Sequence, residues 1–345
     1  MSTIHYSPKN HIQNLTHDEY YRNLILLRNE ISSACDDFFR SRQAPKVDLF
    51  MIARGISSPM GKGSDSEPVP ITIGTQSVNL VDSAQFGMEP LVLKHFKAVY
   101  CYLPSFRGED SDARHLTQFY HCEAEIRGNY KDVMNLVNDL VKSIIARVID
   151  KQNQANYPFK NNNFKQIKSL IKTPFPVISF DEAAKILNQQ SEKNEYLNLF
   201  DYGRVITSKG EAFICQHFGG QVPVWIEKYD RDTVPFYQKP DPENTEKVLN
   251  ADLIFPSING GFGGEIIGAG QRQDSVAQLK ESMSRQNIKD TAAYNWYLEL
   301  RNDKNYQTTS GFGLGIERLI AWMLGTPIIA EAAIYPVQKN VLVDY

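Results

Sequence analysis

Cysteine is scarce in this chain: four in 345 residues, at positions 35, 101, 122 and 215, widely spaced and with no Cys-x-x-Cys pair. That excludes a disulfide framework and a thiolate zinc ribbon, and it reads as buried free thiols in a reducing compartment. An excess of basic charge is also missing. With 37 Lys and Arg against 40 Asp and Glu, the formal net charge is −3, so composition gives no electrostatic footprint of a nucleic-acid binder. The stretch before Leu24 is polar and no long apolar run follows, so neither a signal peptide nor a membrane span is expected. Apolar residues make up 42% of the chain, enough to fill a core in one large domain or two smaller ones.

Two stretches carry the chemistry. Phe106-Arg107-Gly108-Glu109 and Arg114-His115-Leu116-Thr117-Gln118-Phe119 flank a short polar loop, residues 110–113. Arginines, a histidine and an aromatic ring on the two arms of an antiparallel hairpin suit a nucleoside triphosphate. About 200 residues on, Gly311-Phe312-Gly313-Leu314-Gly315 places glycine at alternate positions of a strand that a ligand can approach closely. Glu317-Arg318 then opens an amphipathic helix that runs to Leu324. An arginine there can lie along a purine while its charge meets phosphate oxygens. Taken singly, alternate glycines more often mark a bulge or tight packing, and Phe-Arg-x-Glu is weaker still. The two stretches in this order point to ATP.

Together they resemble motifs 2 and 3 of the class II aminoacyl-tRNA synthetases. Residues 310–318 are most similar to the asparaginyl and aspartyl branch, whose catalytic module also serves AMP-forming asparagine synthetases; the resemblance covers roughly residues 20 to 336. It implies an α+β fold, an antiparallel sheet flanked by helices, as a single catalytic domain over residues 21–345 behind an N-terminal arm, residues 1–20. ATP is the implied co-substrate and Mg2+ the implied metal. Arg107 would meet the α-phosphate and the substrate carboxylate, with Glu109 fixing the nucleotide. Arg114 and His115 would reach the distal phosphates, Phe119 would stack on adenine, and Gly315 and Arg318 would complete the ATP site. Arg107, Glu109 and Arg318 form the implied catalytic set. The run from Gly264-Glu265 to Arg272 resembles a family signature whose acid, here Glu265, holds Mg2+ against the phosphates.

The substrate side follows the asparaginyl pattern. Ser83-Ala84-Gln85-Phe86-Gly87-Met88-Glu89 resembles Ser-x-Gln-Leu-x-x-Glu, whereas aspartyl enzymes place a lysine where Met88 stands. Trp296 to Arg301 resembles Trp-Tyr-x-Asp-Leu-Arg, whose arginine is implied to bind the substrate's side-chain oxygen. Ser83, Gln85, Glu89 and Arg301 are therefore the expected substrate contacts. A carboxylate at Glu89 accepts from an amide NH2 and repels an anionic side chain, which favours asparagine over aspartate. A blander reading remains open: Glu89 starts a helix over residues 90–96, where the macrodipole favours an acid.

The remaining elements are legible from their periodicity. Apolar Leu24, Leu27, Ile31, Ala34, Cys35 and Phe38 predict a helix over residues 20–42. In the resemblance this is the motif 1 helix, which implies a homodimer. Its following strand, residues 47–53, lacks the family's proline. A Gly/Ser/Pro-rich loop is expected at 55–70, strands at 71–80, 98–103 and 223–226, a strand and helix across 175–187, and a helix at 130–150. Glu123 and Glu125 alternate with Cys122 and Ala124, so two acids share one strand face. Residues 151–172, basic and Asn-rich, read as a surface insertion. Thr308-Thr309 and Val337 depart from the family's Pro-His and closing arginine.

Only about 20 residues precede the first long helix, too few for the OB-fold that binds the anticodon in asparaginyl and aspartyl synthetases. With no basic surface either, tRNA binding is expected to be weak. The leading expectation is therefore a cytoplasmic ligase that activates an asparagine- or aspartate-type carboxylate, of a free amino acid or a peptide, and passes it to ammonia, an amine or a peptide. A truncated tRNA ligase for asparagine comes second, and a non-catalytic binding paralogue third.

Overall fold

The computed structural model describes residues 5–57, 66–157, 161, 163–191, 193–288 and 291–341. Its centre is a seven-stranded sheet: β1 (Ala98–Phe106), β2 (Gln118–Arg127), β3 (Val177–Ser179), β4 (Val224–Glu227), β5 (Asn250–Phe255), β6 (Gly264–Gln271) and β7 (Thr309–Gly315). Their spatial order is β1-β2-β7-β6-β5-β4-β3. All pairings are antiparallel except β3 with β4. Five helices matter for the site: α1 (Glu19–Ser41), α2 (Gln85–Lys94), α3 (Tyr130–Asn153), α4 (Ser208–His217) and α5 (Ile316–Leu324).

Alternation along the strands gives the sheet two unlike faces. On the inner face Cys122, Ala124, Phe312 and Leu314 join Leu24, Leu27 and Ile31 of α1 and Val137, Leu140 and Ile144 of α3 in the main core. Asp18 starts α1 by accepting from the Tyr20 N–H at 2.8 Å, and a capping box of Asn129 and Asp132 starts α3. On the outer face the register sets Gly311 against Glu125, Gly313 against Glu123 and Gly315 against His121, with Gly268 and Gly270 beside Gly313 and Gly311. Glycine therefore leaves the middle of that face bare, and α2 covers the β1 end through Met88 and Val92 on Val99, Cys101 and Leu103. All four cysteines are buried and free.

Several elements differ from the sequence expectation. Of residues 47–53 only Ile52–Ala53 pairs as strand; Val47 and Leu49 pack against the cluster under α2 while Phe50 stands 90% exposed. The strand expected at 71–80 is a hairpin, Val69–Ile73 with Gln76–Leu80, because Gly74 at φ 61° turns the chain. The helix expected at 90–96 begins at Gln85 and ends at Lys94 with Pro90 inside it, so Glu89 sits in mid-helix, fully buried, and does not start it. Residues 163–171 of the expected surface insertion fold as Asn163–Ile167 and Lys168–Ile171, and Phe164, Ile167 and Leu170 at three-residue spacing enter the main core. Residues 158–160 and 162 of that insertion, 58–65 of the Gly/Ser/Pro loop and 1–4 of the arm lie outside the described residues.

Candidate active site

A cleft lies over the glycine floor, between the β1–β2 hairpin and α2 on one side and β5, β6 and α5 on the other. One half is lined by Arg107, Glu109, His115, Phe119, Gly315 and Arg318. The other is lined by Ser83, Gln85, Glu123, Gln238, Asp252 and Arg272. Arg107, His121, Glu265 and Gly313 line both. The hairpin thus brings most of the expected nucleotide residues together, and the floor joins them to a second, more polar chamber.

At the junction, the Arg107 guanidinium lies 5.5 Å from the centre of the Phe119 ring. Its Nε is buried and has no hydrogen-bond partner among the described residues. A buried charged donor left unpaired costs free energy, and an anionic ligand removes that cost. Glu109 accepts from the Glu67 N–H at 3.2 Å, and His115 Nδ1 is 2.8 Å from Asp112. Arg318 donates to the Glu265 carbonyl at 3.0 Å and lies 3.4 Å from its carboxylate. Arg114 reaches across to the Gly263 carbonyl at 2.8 Å and lies 3.7 Å from Glu211, with its guanidinium over Phe262. Beside Arg318, the buried Glu317 accepts from Arg28 of α1 at 2.7 Å and from the Tyr120 N–H at 2.8 Å.

Acids gather at the β5–β6 wall. A Cβ placed on Gly268 would be 3.4 Å from both Asp252 Oδ1 and Glu265 Oε1, so the two carboxyls converge there. Glu211 Oε2 accepts from the Glu265 N–H at 3.3 Å. Burial pushes the Glu211 carboxyl up to about 7, and the Glu265 charge adds to the rise. Burial and then Glu265 also lift Asp252 well above the usual carboxylate range. Crowded carboxyls of this kind fit Mg2+, which takes one or two protein carboxylates and completes its shell with phosphate and water. Among the described residues no group of three His, Cys, Asp or Glu side chains forms a metal cage.

In the second chamber Ser83 Oγ donates to Glu123 at 2.6 Å and the Ala84 N–H donates to it at 3.0 Å. Gln85 Oε1 and Gln238 Oε1 are buried without partners among the described residues, two acceptors open to a cationic or amide ligand. Arg272 chelates Glu125 on the floor, Nε lying 3.1 and 3.3 Å from the two carboxylate oxygens. Burial opposes the Arg272 charge, and the Glu125 carboxylate overrides it.

Two of the expected substrate contacts behave otherwise. Glu89 and Arg301 are wholly buried and bonded to each other, with Tyr297 OH donating to Glu89 at 2.7 Å and Arg301 Nε donating to the Gln273 carbonyl at 2.8 Å. Neither lines the cleft. Conversely, the sequence did not single out Asp252, Arg272, Gln238 or His121. Strand alternation from Phe119 through His121 to Glu123 was the available signal for the last.

The bare-floored antiparallel sheet, with an arginine-bearing hairpin and a Gly-Ile-Glu-Arg helix start, is that of a class II synthetase catalytic core. The chain belongs to that family, a family of ATP-dependent ligases: the family model for tRNA synthetases class II (D, K and N) matches residues 4–339. Within it the chain is 33% identical over 324 residues to the asparagine–tRNA ligase of Pelotomaculum thermopropionicum, covering 91% of this chain and 68% of that protein. With the asparagine–tRNA ligase of Mycoplasma genitalium it shares 34% identity over 275 residues, covering 77% and 58%. The chain thus spans 58 to 68% of the length of these curated relatives. Its fold matches the asparaginyl-tRNA synthetase of Pyrococcus horikoshii, solved in complex with asparaginyl-adenylate, at a TM-score of 0.85 and 26% identity over 98% of this chain and 74% of that one.

Proposed function

We propose that this chain activates asparagine with ATP to asparaginyl-adenylate and transfers the acyl group to the terminal ribose hydroxyl of a tRNA. The observation that carries the reading is the unpartnered Arg107 Nε at the point where the two chambers meet. The sequence expectation placed a non-tRNA acceptor first and tRNA charging second. The relatives named above are asparagine–tRNA ligases, and they favour tRNA as the acceptor.

In the first step an asparagine carboxylate oxygen attacks the α-phosphorus of ATP in line, and the bond to the β-phosphate oxygen breaks. The electron pair leaves with pyrophosphate. Arg107 stabilises the charge that builds on the α-phosphate, Phe119 and Arg318 hold the base between them, and Glu109 and His115 steady the hairpin around the phosphates. Asp252 and Glu265 would hold Mg2+, which neutralises the phosphate charge when bound. Gln85, Gln238 and Arg272 surround the amino acid. A homodimer built on α1 and a cytoplasmic location belong to the same reading; no described helix is long and apolar enough to cross a membrane.

The test is asparagine-dependent exchange of pyrophosphate into ATP, followed by charging of a tRNA transcript. Exchange and charging together are expected. Exchange without charging would return a non-tRNA acceptor to first place, and no exchange with any amino acid would overturn the reading.

A further inference from the structure

One titratable side chain at the junction takes no part in adenylate formation. His121 stands on the cleft face of β2, opposite Gly315, and lines both chambers. Its Nδ1 is engaged twice, 3.1 Å from Glu123 Oε1 and 2.9 Å from Ser105 Oγ. The ring is set edge-on to Phe119, with centroids 4.8 Å apart and planes at 83°, so it is held from two sides. Burial opposes ionisation of Glu123, but its bonds from His121, Ser83 and the Ala84 N–H hold its carboxyl below the usual range. An ionised carboxylate at Nδ1 selects the tautomer with the proton on that nitrogen. Nε2 then carries the lone pair, and it has no hydrogen-bond partner among the described residues. The arrangement is a carboxylate–histidine dyad on a ring that lines both chambers where they join.

We propose that His121 is the proton acceptor of the acyl-transfer step and that Glu123 is its positioning residue. This rests on the reading that an acyl-adenylate formed in the cleft is passed to a hydroxyl. Adenylate formation needs no base, because its nucleophile is already a carboxylate. A ribose hydroxyl must lose a proton as it attacks. Its oxygen bonds to the acyl carbon, its proton moves to His121 Nε2, and the bond from the acyl carbon to the AMP phosphate oxygen breaks with the electron pair leaving on AMP. His121 afterwards returns the proton to water. A positioned base of this kind contributes about 100- to 10,000-fold. The charged and titratable groups that line the two chambers with His121 are Arg107, Glu109 and His115 on the hairpin, Glu123 on its own strand, Asp252 on β5, Glu265 on β6 with Arg272 just past it, Glu317 and Arg318 on α5, and Asp82 before α2.

The experiment preloads the enzyme with adenylate and follows single-turnover transfer to tRNA against pH, with pyrophosphate exchange measured in parallel. In the unaltered protein transfer should fall on the acid side, as a step that needs an unprotonated base does. His121→Gln should slow transfer by about 100-fold more than it slows exchange, and the acid-side fall should vanish. Glu123→Gln, which leaves the tautomer unfixed, should slow transfer more than exchange but by less than His121→Gln does. Equal losses in transfer and exchange, an acid limb that survives in His121→Gln, or no limb in the unaltered protein would each overturn the assignment. The last of these needs no variant to fold. Should the unaltered protein charge tRNA while His121→Gln transfers as fast, only the base is lost; absence of exchange in the unaltered protein defeats both this step and the function it rests on.

Discussion

The Arg301 guanidinium meets the Glu89 carboxylate where neither side chain touches solvent. Tyr297 OH closes the other carboxylate oxygen at 2.7 Å. An ion pair this deep contributes little net stability, but removing one partner strands the other charge at a cost of about 3–5 kcal/mol. Glu89→Gln and Arg301→Met should each lower the unfolding free energy by roughly 3 kcal/mol, and the double variant by clearly less than the two together. Urea unfolding of the four proteins measures the coupling. If Glu89→Gln instead leaves stability alone and shifts the preference between asparagine and aspartate in pyrophosphate exchange, the pair is a substrate contact after all.

In the proposed reaction Arg107 acts on the charge that develops at the α-phosphorus. Arg107→Ala should reduce asparagine-dependent pyrophosphate exchange by about 100-fold or more, the usual loss when one such donor is removed. Its melting temperature should change little, because Nε makes no hydrogen bond among the described residues and the contact with Phe119 is a loose one. Undiminished exchange in the variant would remove Arg107 from the site.

Glu211 gives a pH signature. Its carboxyl is raised from 4.5 to about 7 in the folded protein. The folded state therefore holds this proton more tightly than the unfolded chain, and the stability this contributes is complete below pH 4.5 and lost as pH rises through 7. The full difference is roughly 3 kcal/mol at ~1.4 kcal/mol per pH unit. Glu211→Gln does not titrate, so relative to the unaltered protein it should gain stability between pH 5 and pH 8 in the absence of nucleotide. Thermal melts at the two pH values check this, and a gain no larger at pH 8 would refute the raised carboxyl.

Arg28 lies on α1 yet reaches the nucleotide half through Glu317, the residue next to Arg318. Arg28→Ala should leave Glu317 with only the Tyr120 N–H and loosen the start of α5. The expected result is a KM for ATP raised about tenfold, ~1.4 kcal/mol, with a smaller change in kcat. Exchange kinetics against ATP concentration decide it; an unmoved KM would confine the contact to structure.

What the sequence disclosed follows physical range. α1 and α5 were legible because their apolar periods are local and complete, β7 because its glycines alternate, and the hairpin because its arginines and Phe119 sit a few residues apart. Glu89 and Arg301 were legible as residues but not as a pair: 212 positions separate them, and only the fold closes one upon the other. Gly74 hid a hairpin inside what read as one strand, since only its positive φ distinguishes a turn from a pleat. Phe164, Ile167 and Leu170 were masked by the lysines and asparagines around them, although their spacing carried the helical signal. Asp252 lies within β5 and Arg272 just past the end of β6, and the role of each depends on which neighbours lie across the sheet.

The glycines under the cleft are not equivalent, and the difference makes the protein a candidate for chemical genetics. A methyl group at Gly311 would strike Glu125 and Arg272, and one at Gly270 would strike Gln238, within 1.9–2.5 Å. At Gly313 the nearest atom would be 3.8 Å away, ordinary contact distance. Alanine at that one position raises a small bump on the surface where nucleotide and acyl group would rest, while the ion pair beside it keeps its geometry. Bulk on the ligand at that point would then be disfavoured by the altered enzyme, while an ATP analogue trimmed to clear the bump would be accepted by both proteins.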